Sequence, residues 1–73
     1  MNNLLEVINR VLDSNDMDTF DSILDSMNLK NDLGFDSFML AELTVEIEEE
    51  TGIDIFADSI VYTIGDIRKK LNG

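Results

Sequence analysis

The chain contains no cysteine, no histidine, no proline and no tryptophan. Without cysteine, neither a disulfide nor a thiolate metal site can support the fold. Without histidine, a serine nucleophile has no imidazole base, which excludes triad-type hydrolysis. Without proline, helices must end at glycine, at polar residues or by competition from solvent. No apolar run is long enough to span a bilayer, and no basic-then-apolar leader opens the sequence. The default expectation is a cytoplasmic protein without membrane insertion. Basic residues are scarce too: five stand against sixteen acids, for a net charge of -11. Four of them are Arg10, Arg68, Lys69 and Lys70, and between Asp13 and Asp66 the only base is Lys30. Such a field repels nucleic acid and anionic lipid and draws basic partners toward itself.

What remains is a sequence of 73 residues, 44% of them apolar. The length predicts one domain over residues 1–73 with a small core, and the apolar share argues against a disordered acidic tail. Leu4, Leu5, Ile8, Val11 and Leu12 recur at helical spacing and predict a first helix from about Asn3 to Leu12, capped by Asn2 or Asn3. The cluster Asp13-Ser14-Asn15-Asp16 stops it. A long connection, residues 13–36, follows. It holds Phe20, Ile23, Leu24 and Met27 at helical spacing, which predicts a short helix folded over the core. A second helix runs from about Ser37 to Thr51 and stops at Gly52. Ile53-Asp54-Ile55-Phe56 is read as a loop with inward isoleucines, followed by a short helical turn from about Asp58 to Val61. The last helix opens at Thr63, where Thr63 and Asp66 stand in a capping-box relation. Ile64, Ile67 and Leu71 face inward, and the basic last turn suits the helix dipole. The expected fold is all-α: a small bundle of three main helices plus one short helical turn.

The second helix has two apolar sides. At roughly 100° per residue, Met39, Leu40, Leu43, Thr44, Ile47 and Thr51 gather on one broad face. Phe38, Ala41 and Val45 gather nearly opposite, flanked by Glu42, Glu46, Glu48 and Glu49. So small a domain buries one side only, so the Phe38 stripe is expected to be at least partly exposed. An apolar strip rimmed by carboxylates fits a docking surface for a basic partner.

Just before this helix stands Asp32-Leu33-Gly34-Phe35-Asp36-Ser37. Gly34 permits a sharp turn, and Ser37 then lies at a helix start, whose free N–H groups accommodate a phosphate ester. Asp36 beside it offers an oxygen ligand of the type magnesium prefers, and serves equally as an N-cap.

In combination these features resemble the acyl carrier protein family. The resemblance runs from the apolar first helix and long first loop through Asp-Leu-Gly-x-Asp-Ser and the acidic second helix. It continues over Gly52-Ile53-Asp54-Ile55 to the final helix opened by Thr63. It implies a bundle of the carrier type and a non-enzymatic protein. It further implies a 4'-phosphopantetheine arm, donated by coenzyme A, on Ser37, with Asp36 and Gly34 at the attachment site. Magnesium is needed only during modification, and no specific resident metal is expected. The arm would carry acyl intermediates as thioesters in fatty-acid, polyketide or related lipid biosynthesis. The implied partners are a phosphopantetheinyl transferase and acyl-loading, condensing and acyltransferase enzymes with basic docking patches. They would meet a monomer at Phe38, Ala41, Glu42, Val45, Glu46, Glu48 and Glu49. Leu40, Leu43 and Ile47 would help line an acyl pocket. The sequence departs from the family pattern at Phe38, where leucine or isoleucine is usual, and at Met39, often acidic or polar. It also lacks the proline-plus-acids start of the third-helix region. With Thr63-Ile64-Gly65-Asp66-Ile67 it looks more like a specialised stand-alone carrier than the housekeeping fatty-acid one.

Other readings are an aminoacyl or peptidyl carrier and an acidic protein-binding module that carries nothing. A calcium loop is excluded by register. Counted from Asp13, the fifth position is Met17 and the twelfth Leu24; counted from Asp16, they are Phe20 and Met27.

Overall fold

The computed structural model describes residues 4–57 and 59–72. Among them are three helices: α1 (Leu4–Ser14), α2 (Ser37–Thr51) and α3 (Ile64–Asn72). The fold is all-α, as its apolar periodicities predict. Val7, Ile8, Val11 and Leu12 of α1 pack with Met39, Leu43 and Ile47 of α2 and with Ile64 and Ile67 of α3. Residues 33, 35, 55 and 61 of the connections close the same core.

The start of α1 expected at Asn3, with its Asn2 or Asn3 cap, lies outside the described residues. Its other end runs two residues past the predicted Leu12. The cluster expected to stop the helix instead satisfies its last carbonyls. The Asn15 side chain donates to Val11 O (2.8 Å) and the Met17 N–H to Leu12 O (2.9 Å), while Asp16 takes φ 60°. Helix α2 has the predicted bounds. Gly52 closes it at φ 75°, donating to Glu48 O (2.8 Å), as a left-handed C-terminal glycine does.

The short helix expected within residues 20–27 does not form. Asn9 of α1 grips the backbone of Phe20 from both sides, donating to its carbonyl and accepting from its N–H, each at 2.8 Å. The Phe20 carbonyl, which would accept the first bond of a helix begun there, is thereby engaged elsewhere. The segment instead runs in irregular form. It buries Ile23 and leaves Leu24 63% exposed. Farther on, it pairs with the approach to α3. An isolated antiparallel bridge joins Asn28 to Thr63, with Leu29 N–H to Tyr62 O (2.9 Å) and Ile64 N–H to Met27 O (3.0 Å).

The same pairing explains the missing helical turn near residues 58–61. Asp58 lies outside the described residues; residues 59–61 are not helical. Val61 is buried and Ile60 is 67% exposed, the alternation of extended chain entering the bridge. Residues 53–56 form the predicted loop: Ile55 is fully buried, Ile53 half so, and Asp54 bends the chain by accepting from the Phe56 N–H (3.0 Å).

Residues 28–35 fold into a tight knot that leads to α2. Asn28 Oδ1 accepts from the N–H groups of Lys30 and Asn31, both at 2.9 Å, and Asp32 Oδ2 accepts from Asn28 N–H (2.6 Å). Phe35 N–H returns to Leu29 O (2.9 Å). Leu29, Leu33 and Phe35 are buried anchors. Between the last two, Gly34 sits at φ 78°, and a Cβ there would lie 2.8 Å from Met17 Cε.

At α3 the predicted capping box is present. Asp66 N–H donates to Thr63 Oγ1, and Asp66 Oδ2 accepts from the N–H groups of Thr63 and Tyr62 (3.0–3.1 Å). These backbone bonds, that from Tyr62 foremost, hold the Asp66 carboxyl below its ordinary value. A carboxylate depressed in the folded state stabilises the fold above its unfolded pKa, and the contribution is lost as pH falls through the folded value. Thr63→Ala should cost about 1 kcal/mol in urea unfolding. Asp66→Asn should be less stable than wild type at neutral pH, and the gap should close in acid, below the ordinary carboxylate pKa. Gly34→Ala should lose about 1–2 kcal/mol from the left-handed backbone alone, in the same urea assay.

Candidate functional site

The knot at residues 28–35 delivers the chain to α2 in one fixed direction. Asp36 is the N-cap: its backbone is extended (φ -99°, ψ -177°), and its Oδ1 accepts from the Met39 N–H at 2.8 Å. Its carbonyl accepts from the Leu40 N–H at 2.9 Å. Ser37 is therefore the first helical residue, and it is exposed. Gly34, Asp36 and Ser37 all lie at the surface, while Leu33 before them and Phe35 among them are buried. The arrangement presents a hydroxyl at the positive end of a helix, with one carboxylate beside it.

Down the outer side of α2, Phe38 (70% exposed), Ala41 and Val45 (57% exposed) line a shallow groove of about 320 Å³. Glu42, Glu46 and Glu49 form its rim. Glu48, grouped with them by sequence, is exposed but does not line the groove.

Two of the rim acids are held by α1. Arg10 Nη1 lies 2.6 Å from Glu46 Oε2, and the same guanidinium lies 3.7 Å from both Glu50 and Glu6. Surrounded by three carboxylates, with Glu46 the strongest influence, the Arg10 pKa is raised. Glu42 accepts instead from neutral donors, Ser14 Oγ at 2.8 Å and Asn15 Nδ2 at 3.2 Å. Sequence reasoning missed Arg10, Ser14 and Asn15. They sit about thirty residues from their partners, and no local spacing couples them.

On another side of α2, an open apolar cleft of about 260 Å³ is floored by Leu29, Leu40, Phe56 and Val61. Asn28, Lys30, Asn31, Ile60 and Tyr62 also line it. The three residues grouped by sequence as an acyl pocket are separated here. Leu40 lines the cleft, whereas Leu43 and Ile47 are fully buried in the core.

No helix among the described residues is long and apolar enough to cross a membrane. No solved structure matches the chain. The sequence profile of the family described as "Phosphopantetheine attachment site" matches residues 2–69. That match spans most of the 73 residues, and the chain belongs to this family of carriers, which bear a covalently attached 4'-phosphopantetheine group.

Proposed function

We propose that the chain is a single acyl carrier domain over residues 1–73, acted on by enzymes rather than catalytic itself, with Ser37 as the attachment residue. The observation that carries the reading is the exposed Ser37 at the first position of a helix capped by its neighbour Asp36. The residues present fit the arm. The opening N–H groups of a helix favour a phosphodiester, and the exposed side chain admits a foreign active site. The buried anchors Leu33 and Phe35 hold the serine in a constant position.

In modification, a bond forms between Ser37 Oγ and the pantetheine phosphate of coenzyme A. The pyrophosphate linkage breaks, adenosine bisphosphate leaves, and the serine proton passes to a base of the transferase. This chain holds no histidine that could take it. Asp36 commits Oδ1 to the helix cap, and its carboxylate is of the ligand type suited to magnesium brought with the transferase. Once attached, the arm supplies a thiol for thioester formation.

The Phe38, Ala41 and Val45 groove offers apolar burial to a partner enzyme, and Glu42, Glu46, Glu48 and Glu49 offer it orientation and association rate. Acyl-loading, condensing and acyltransferase enzymes of fatty-acid, polyketide or related lipid biosynthesis are the partners this surface suits. The carrier would work in the cytoplasm as a monomer.

The closed packing of Leu43 and Ile47 favours a second reading, an aminoacyl or peptidyl carrier. With both side chains fully buried, cargo would rest in the open Leu40 cleft beside Asn28, Asn31 and Tyr62. Its apolar floor suits a small group.

Intact mass after incubation with coenzyme A, magnesium and a broadly tolerant phosphopantetheinyl transferase tests the attachment site. The wild type should gain one phosphopantetheine, and Ser37→Ala should gain none while keeping its helical circular dichroism. Modification of Ser37→Ala, or none of the wild type, would sink the assignment.

A further inference from the structure

The four acids that the sequence groups together are not equivalent in the folded protein. Glu46 meets a full positive charge, Arg10, at 2.6 Å. Glu42 meets only a hydroxyl and a carboxamide, which satisfy its oxygens and leave its charge in place. Glu49, on the same rim, has no ion-pair partner among the described residues. The rim is therefore uneven: Glu46 is paired with a cation, whereas Glu42 and Glu49 have no ion-pair partner among the described residues.

We propose that Arg10 is a built-in competitor for the docking face. It occupies Glu46 until a basic partner side chain displaces it, so Glu42 and Glu49 steer the encounter and Glu46 engages only afterwards. The proposal rests on the carrier reading and on the groove as the docking surface.

The pair is suited to such an exchange. Arg10 is 47% exposed and Glu46 27% exposed along their side chains, so water reaches both. Exposed ion pairs hold weakly, so a partner displaces this one at small cost. Arg10 also keeps Glu6 and Glu50 within 4 Å. When it leaves Glu46 it still has two carboxylates, Glu6 and Glu50, in reach, and its charge is not stranded.

The test is the kinetics of Ser37 modification by a transferase that uses coenzyme A and magnesium. Variants are Arg10→Gln, Arg10→Lys, Glu42→Gln, Glu46→Gln and the double variant Arg10→Gln/Glu46→Gln. At low salt, Arg10→Gln should raise kcat/KM about two- to fivefold, the range set by a weak exposed pair. The gain should come through KM with kcat unchanged, and Arg10→Lys should remain near wild type. Glu42→Gln should lower kcat/KM in the wild-type background, and Glu46→Gln should lower it by a larger factor in the Arg10→Gln background than with Arg10 present. All these differences should shrink at high salt. A role for Arg10 in stability alone would lower the melting temperature without lowering KM.

The proposal is overturned if folded Arg10→Gln has unchanged or reduced kcat/KM, or if Glu46→Gln matches Glu42→Gln while Arg10 is present. Should Arg10→Gln fail to fold, the comparison of Glu42→Gln with Glu46→Gln decides the matter alone. Failure of the wild type to gain any mass would reject the carrier reading and this proposal together. Normal modification with no dependence on Arg10 would reject only the competitor.

Discussion

The position of Ser37 depends on the burial of three loop side chains, Leu29, Leu33 and Phe35. A connection of this length has many conformations to lose, and closing it costs entropy that local turns alone do not recover. The three anchors supply the opposing term by removing large apolar groups from water. The polar knot of Asn28 and Asp32 adds order, because it satisfies backbone groups that the fold takes away from helices and strands. The bridge to Thr63 then fastens the same loop to the start of α3. Two loops and a helix terminus thus share one small polar framework, and the serine rides on it.

Electrostatics divides the molecule differently from packing. A net charge of -11 on 73 residues opposes compaction. Part of the strain is met by cross-helix ties. Arg10 draws together acids from α1 and α2, and Arg68 of α3 pairs with Asp25 of the first loop. Each such exposed pair is weak. Their value lies in placement, since each joins segments that apolar packing also joins. Glu48 and Glu49 have no ion-pair partner among the described residues and are exposed, on the side of α2 that carries Phe38 and Val45.

The helices were legible in the sequence because periodicity is a local signal. The bounds of α2, its left-handed stop at Gly52 and the Thr63–Asp66 box all follow from residues three or four positions apart. Two expected helical segments did not form, and both failed for long-range reasons. Phe20 is held by Asn9, and residues 59–61 are non-helical and lead to the bridge between Thr63 and Asn28 of the first loop. An asparagine on a helix surface gives no sign of the backbone it will grip. The same holds for the site. The place of Ser37 at a helix start and the exposure of the Phe38 stripe could be argued from spacing, whereas the ties of Arg10, Ser14 and Asn15 to α2 required the fold. Of Leu40, Leu43 and Ile47, only Leu40 lines a cleft, and the other two are buried in the core, a difference in depth that helical spacing does not report.

Helix α2 is the element whose composition folding alone does not account for. Met39, Leu43 and Ile47 suffice to bury it, and polar residues opposite them would lower the free energy of the exposed side. Phe38 and Val45 are instead 70% and 57% exposed. Isolated apolar residues at a surface are ordinary. These two share a groove with Ala41, one helical turn apart at each step, under a rim of carboxylates. The groove begins at the residue after Ser37, so a partner seated on it would have the serine, or an arm attached there, at its edge. Contact with the outer side of α2 and access to the hydroxyl are thereby the same geometric event. A rigid loop that fixed Ser37 without also fixing this groove would separate the two.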